Sequence, residues 1–412
     1  MPKKWFIFLS MPNRASIAII GGGPAAMMLA CSLDTGKYRV SLYEKNAALG
    51  RKFLVAGKGG FNLTHSEEQR QFADRYHPRA FIRPFLEAFS NHDLREWLQA
   101  IGIDTYVGTS KRVFPVKGIK PIEVLKAIEQ KLLANGVAIH YHHEWKGWNN
   151  EQLRFVHKDQ EVAETADIVV FALGGASWKV TGSDGSWINY FKEKNIPVLP
   201  FQASNCACEV HWENPFIDRY EGQALKNCLF SCAGLSKKGE AVITRFGIEG
   251  SGLYPLSPAI RQQLSAHQKA LVHIDLKPDL EREEIISRLE NRGRASVKDV
   301  LEKKLHFGSL QVDLLKLTTT KAAYHDAQSL TDQIKAFPLT ISGLAPMDEA
   351  ISTVGGIAPE ELSETLELKK FPGHYCIGEM IDWDAPTGGY LLQACFSMGY
   401  ALAKHINSRR VL

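Results

Sequence analysis

A chain of 412 residues exceeds the size at which one hydrophobic core keeps growing, so at least two domains are expected. With 45% hydrophobic and 23% charged residues it reads as an ordinary globular protein, and a net charge of +4 is too mild to mark a nucleic-acid or membrane-surface protein without clustering on one face. Seven cysteines, an odd count, exclude a disulfide framework, and no apolar run approaches the roughly 18 residues of a spanning helix.

Residues 1–15 read as an N-terminal extension: Lys3 and Lys4 precede a short apolar stretch, no small-residue cleavage site follows, and Met11 is a second candidate start. The apolar run 16–20 suits a buried parallel strand and ends in three glycines. Pro24 then sits where a first helical residue belongs, because its fixed φ suits the first turn and its missing N–H is not needed there. A helix over 25–33 and a strand over 39–44 complete a βαβ opening. Leu94, Trp97, Leu98 and Ile101 recur at helical spacing, with Asn91 as N-cap and Gly102 as the stop. Pro121 opens a further helix that Asn135 and Gly136 close, and 137–141 and 167–173 read as strands. From Pro197 the character changes. Residues 198–278 are predicted as a β-rich insert, 279–336 as a charged helical piece, and 337–412 as short strands, glycine loops and a closing helix over 391–406. The expected architecture is an α/β domain made of 16–197 and 337–412, interrupted by the middle of the chain.

Four glycine-bearing segments carry the chemistry. Gly21-Gly22-Gly23-Pro24-Ala25-Ala26 fits G-x-G-x-x-G/A: Gly21 allows the tight turn, Gly23 lets the backbone approach a pyrophosphate, and Ala26 permits close helix–sheet packing. The helix start offers free N–H groups and a positive dipole end to phosphates. Glu44 closes the next strand, where an acid holds ribose hydroxyls, and Lys45 follows it. In the second segment Gly50, Arg51, Lys52, Gly59, Gly60 and Asn62 join close backbone approach to positive charge, as a loop wrapping a dinucleotide requires. Third, Gly174 and Gly175 end an apolar strand, at whose carboxyl end ligands lie in open α/β sheets. Fourth, Gly355 precedes Gly378, Glu379 and Asp382, and Gly388-Gly389-Tyr390-Leu391 leads into the final helix, whose first amides can meet a ligand. Each segment taken alone also reads as a plain glycine-rich connection.

Together, Gly21 to Ala26, Gly50 to Asn62 with Leu63-Thr64-His65, Gly174 to Gly185, Thr353 to Gly356 and Gly378 to Tyr390 resemble the BaiN-like (YhiN-like) bacterial flavoproteins. The resemblance implies FAD held by these segments, a Rossmann-like FAD-binding domain split between both chain ends, a β-barrel-like insert and a small helical subdomain. The main branch has Gly-Arg-Cys-Asn where this chain has Gly59-Gly60-Phe61-Asn62, so no role of that arginine or cysteine carries over, and the chain looks like a divergent subgroup.

A flavin supplies hydride chemistry itself. No second G-x-G-x-x-G and no C-x4-C pair occurs in the chain, so NAD(P)H is expected only as a transient electron donor at the flavin, beside other donors. The expected protein is a cytoplasmic FAD-dependent oxidoreductase reducing an unsaturated small molecule. The alternative is an RNA-directed flavoprotein, with FAD used for base modification or as a structural ligand; the balanced charge of 279–336 counts against it. No catalytic residue is assigned, although His65, Tyr390 and Arg245 are polar groups considered for the flavin face. Cys206, Cys208, Cys228 and Cys232 lack the usual zinc spacing, and His140, His142 and His143 read as a solvated strand edge, so no metal is expected. Ser177 and Ser183 lack the nucleophile elbow of a hydrolase.

Overall fold

The computed structural model describes residues 14–55 and 60–409. Five parallel strands form one sheet in the order His374–Cys376, Ile168–Phe171, Ala15–Ile20, Tyr38–Glu44 and Ala138–Tyr141. The first strand is central: Ile19 lies between Val170 and Leu42, and Ile17 to Ile20 are buried on both faces. That double burial explains the unbroken apolar run in the sequence. Both chain ends supply the sheet, as expected. Ala15, expected in the N-terminal extension, instead opens the first strand and pairs with Tyr38, and residues 1–13 lie outside the described residues.

The opening helix, Pro24–Ser32, has Gly23 as N-cap and Pro24 in its first turn. Its partner is the final helix, Tyr390–Ser408. A Cβ on Gly399 would sit 2.3 Å from the Ala25 carbonyl oxygen, so the two helices cross backbone against backbone. The predicted helix at 91–101 is capped one residue earlier: Ser90 accepts from the Asp93 amide, and the Asp93 carboxylate accepts from the Ser90 amide. One apolar core joins residues 17–196 to residues 357–406.

The middle of the chain builds a second core, from Cys208 to Ile341. Its seven-stranded sheet runs Phe337–Ile341, Ala270–Asp275, Ala224–Cys232, Leu235–Ile243, Gly247–Glu249, Cys208–Glu209, Gly343–Leu344. The two edge strands are separated by Ser342 alone, which gives the sheet its barrel-like curl. Two expectations shift here. Residues 337–344 pair within this sheet rather than with the first domain, and the helices at 282–334 share its core rather than standing apart. Val198–Ser204 pairs with Ser352–Ile357 in a two-stranded link between the cores. Among the described residues, no helix is long and apolar enough to cross a membrane.

Candidate functional site

A cleft opens at the carboxyl ends of the parallel strands, lined among others by Gly21, Gly23, Glu44, Lys52, Gly174 and Glu379. Backbone sterics shape its floor. Gly21 has φ +105°, and a Cβ there would lie 2.4 Å from the Ala172 carbonyl oxygen, so only glycine makes this turn. Gly23 is different: a Cβ on it would meet nothing within 4 Å. The space in front of the helix start is therefore open to a ligand, and Pro24 and Ala25 line it as well. Ala26 is fully buried beneath.

Side chains from distant segments close the walls. Glu44, 8% exposed, accepts from the Gly22 amide at 2.8 Å and from the Asn46 amide at 2.8 Å. Lys45 pairs with Asp184 at 2.8 Å; burial pushes the Asp184 carboxyl up, but hydrogen bonds from Lys45 and Ser186 outweigh it and leave it below its ordinary value. Arg51 is exposed and donates to the Asn46 side chain at 2.7 Å. Lys52 donates to Glu379 at 2.8 Å and to the Ser177 hydroxyl at 2.8 Å, while the Thr353 amide donates to Glu379 at 3.3 Å. This knot ties the second, third and fourth glycine-bearing segments together.

Gly50 and Gly378 also line the cleft, whereas Gly60, Asn62, Gly175, Gly355, Gly388, Gly389, Tyr390 and Leu391 lie outside its lining. Gly175 packs on Thr353 and Glu379, and the Gly355 amide is taken by Asp382 at 2.7 Å. Asn62 makes a tight turn onto the Gly60 carbonyl, and Gly59 lies outside the described residues. Gly388, Gly389, Tyr390 and Leu391 begin the final helix, where Gly389 packs so closely on Thr64 that a Cβ would lie 2.5 Å from its Cα. That helix re-enters the cleft lining at Cys395. From its crossing at Gly399 back to Gly389 is ten residues, about 15 Å of rise. The start of the final helix thus lies outside the cleft lining, and the helix reaches the cleft through Cys395.

Several lining residues escaped the sequence reading. Tyr43, His143, Trp145, Trp187 and Tyr190 form an aromatic end beyond Glu44. The Trp187 indole donates to the Gly174 carbonyl at 3.0 Å, whereas the buried Trp145 indole N–H has no acceptor among the described residues. His143, expected at a solvated edge, instead stacks on His157 with centroids 4.2 Å apart. No local pattern reveals this wall, because Trp145 and Tyr190 meet only through the fold. Arg245 leaves the site altogether and pairs on the surface with Asp218 and Glu221. The four clustered cysteines are buried, and burial pushes Cys206 up to about 11 and Cys228 up to about 12, as core thiols.

The open space at Gly23, the acid at Glu44 and the orphaned Trp145 donor fit a dinucleotide with an adenine at the aromatic end. A parallel sheet with this turn, completed by a strand and helix from the far end of the chain, is the Rossmann-type FAD-binding fold, and the class it defines is the FAD-dependent oxidoreductases. Within that class the chain belongs to the HI0933-like family, whose Rossmann-domain model matches residues 15–405.

Among its relatives is a 3-dehydro-bile acid delta(4,6)-reductase of Clostridium scindens, 26% identical over 93% of this chain and 97% of the relative. A ribosomal RNA dihydrouridine synthase of Haemophilus influenzae is also 26% identical, over 96% of this chain and 100% of the relative. Among solved structures, 3-ketosteroid delta1-dehydrogenase from Sterolibacterium denitrificans aligns with a TM-score of 0.49 at 12% identity, covering 96% of this chain and 100% of that one.

Proposed function

We propose that the chain is an FAD-dependent reductase that saturates a carbon–carbon double bond conjugated to a carbonyl in a small molecule. The observation that carries it is the open helix start at Gly23 beside the acid Glu44, in a cleft that the final helix also lines through Cys395. In this reading Gly21, Gly23, Pro24, Ala25 and Ala26 present the pyrophosphate site, and Glu44 holds the ribose, with Lys45, Arg51 and Lys52 adding positive charge. Gly50, Gly59, Gly60 and Asn62 form the covering loop. Gly174, Gly175, Gly355, Gly378 and Glu379 border the middle of the cofactor, and Gly388, Gly389, Tyr390 and Leu391 its ring end.

Bound FAD supplies the hydride chemistry. The protein orients it and excludes water. The names of the two relatives share one transformation, since a delta(4,6)-reductase and a dihydrouridine synthase both add two hydrogens across a double bond. NAD(P)H docking transiently at the ring is the electron donor in this reading, because the sequence carries one dinucleotide fingerprint. Purified protein is expected to be yellow, or to become so with FAD, and to bleach anaerobically with NADPH or NADH. Protein that takes up no FAD would sink the whole reading; flavin that neither nicotinamide reduces would remove only the donor.

The dihydrouridine synthase relative also favours a second reading, an RNA-directed flavoprotein. Against it, the charged helices of 279–336 are laced with their own ion pairs, such as Arg282 with Asp332 and Lys303 with Asp299, leaving few cations for phosphates. Absence of RNA binding at low salt would eliminate this reading.

A further inference from the structure

Two ion pairs cross the cleft from one wall to the other. Lys45 and Lys52 both stand on the segment that follows the strand Tyr38–Glu44, and Lys52 belongs to the short helix Arg51–Val55. Their carboxylate partners come from the far side: Asp184 from the loop after Ile168–Phe171, and Glu379 from the turn after His374–Cys376. In the sheet, Ala15–Ile20 with its Gly21 turn separates Tyr38–Glu44 from Ile168–Phe171, and His374–Cys376 lies one strand further out. Neighbouring strands sit about 4.8 Å apart, so Lys45 reaches over one strand end and Lys52 over two, between strands about 14 Å apart. All four residues line the cleft together with Gly21 and Gly174.

The acceptor side of the longer bridge is rigid. Lys52 has three N–H donors and spends them on the Ser177 hydroxyl at 2.8 Å and on the two Glu379 oxygens at 2.8 and 3.1 Å. Ser177 is fully buried, and Glu379 also accepts from the Thr353 amide at 3.3 Å. A Cβ on Gly175 would lie 2.2 Å from the Thr353 hydroxyl oxygen and 3.3 Å from the Glu379 carboxyl carbon, so these segments pack without slack. Phe53 anchors the lysine's helix in the core. What can move is the four-carbon arm of Lys52, whose side chain keeps 27% of its surface exposed. Such an arm can lift and close by rotamer changes alone, with the backbone in place.

We propose that Lys52, with Lys45 beside it, is a strap that shuts over the dinucleotide in the cleft and makes it a resident group rather than an exchanging one. The strap rests on the dinucleotide reading above. A strap that must lift for both entry and exit slows the two rates by one factor and leaves the equilibrium alone, since it does not distinguish a filled cleft from a free one. A residue that only grips the cofactor behaves otherwise: its loss speeds exit, leaves entry unchanged and weakens binding. The consequence for function is that electron donor and substrate must both come to a flavin that stays in place.

The test uses the full chain, with FAD removed and added back. Entry is followed by the change in flavin fluorescence on mixing, and exit by trapping the released flavin. Lys52→Met keeps the length of the arm and deletes its charge; it should speed both rates by about tenfold and hold affinity within about threefold. Lys52→Arg, which can still reach both acceptors, should stay near the parent, and Lys45→Met should give a smaller change in the same sense. Faster exit with unchanged entry would make Lys52 a cofactor ligand and overturn the strap, as would two unchanged rates. The bridge itself is read without cofactor, by reductive methylation of Lys52 with formaldehyde and peptide mass spectrometry, against exposed Lys404. Glu379→Gln should raise Lys52 labelling by about fivefold and leave Lys404 unchanged. Equal labelling in parent and variant would overturn the bridge. Each variant is first shown to unfold like the parent in urea, and Ser177→Ala takes the place of Glu379→Gln should that variant fail. If the protein takes up no FAD, the flavin reading falls alone; ADP, which carries the same pyrophosphate, then tests the strap by the same two rates, followed by tryptophan fluorescence. No binding of ADP either would end both.

Discussion

The Gly21 turn and the loop before the final helix are built by different physics. At the Gly21 end the chain largely shapes itself: Glu44 accepts from Gly22 and from its near neighbour Asn46, and sterics fix the turn. At the Gly388 end the loop is held from afar. Asn205 donates to the Ala385 carbonyl at 2.8 Å and accepts from the Thr387 amide at 3.2 Å, while Asp384 accepts from Ser204 and from Arg261 of the insert. The Gly21 turn is therefore a local motif, whereas the Gly388 loop is held only where the second core docks. The two should be breakable separately.

The largest effect is expected at Gly21→Ala, where a methyl would press on the Ala172 carbonyl at positive φ. Stability should fall by on the order of 4 kcal/mol in urea unfolding, and binding of both ADP and FAD should vanish. Arg261→Ala comes next. It leaves the Asp384 carboxylate, 6% exposed, without its cation, a loss of about 3 kcal/mol. Because this damage sits at the ring end, ADP affinity should hold within about twofold while FAD affinity drops by about tenfold. Equal losses of ADP and FAD would mean the ends are not independent. Gly23→Ala sharpens the contrast from the other side. Its methyl meets no protein atom within 4 Å, so stability should move by less than about 0.5 kcal/mol. The methyl would occupy the pyrophosphate space, and affinity for ADP and FAD should fall by about a hundredfold. Unchanged affinity would place the pyrophosphate elsewhere.

The same division governs what the sequence reveals. Gly21 to Ala26, Glu44 and the strand at 16–20 announce themselves because the turn, the helix start and the double burial each need a particular residue type at a fixed local offset. The final helix and the split of the domain are visible for similar reasons. The second core's limits are harder to read, since Phe337–Ile341 joins Ala270–Asp275 by a pairing that no local pattern encodes. The aromatic wall of Trp145 and Tyr190 and the Arg261–Asp384 pair both depend on contacts across the folded chain. Arg245 shows the converse: an isolated arginine looks available until the fold supplies Asp218 and Glu221.

Acid provides the gentlest way to part the two ends. Burial, reinforced by Arg75 and Arg112, lowers the His65 imidazole from its ordinary 6.5. As pH falls through that value the unfolded chain takes the proton first, so stability declines until the pH passes below the folded pKa. Glu67 acts in a lower window. Burial would raise its carboxyl, but the bonds from Arg75 and Tyr390 depress it below 4.5, so its contribution is present above that value and disappears as pH falls through the folded pKa. His65→Asn should act mainly on the upper part of the stability–pH curve and Glu67→Gln mainly on the lower part, with a smaller effect of each on the other because the two charges attract. Both groups lie at the ring end, so mild acid should speed hydrogen exchange in residues 63–67 and 388–393 before residues 15–26 respond. Exchange that rises equally at both ends would show that the cleft opens as one unit, and the distinction between a self-folding end and a docked one would have to be abandoned.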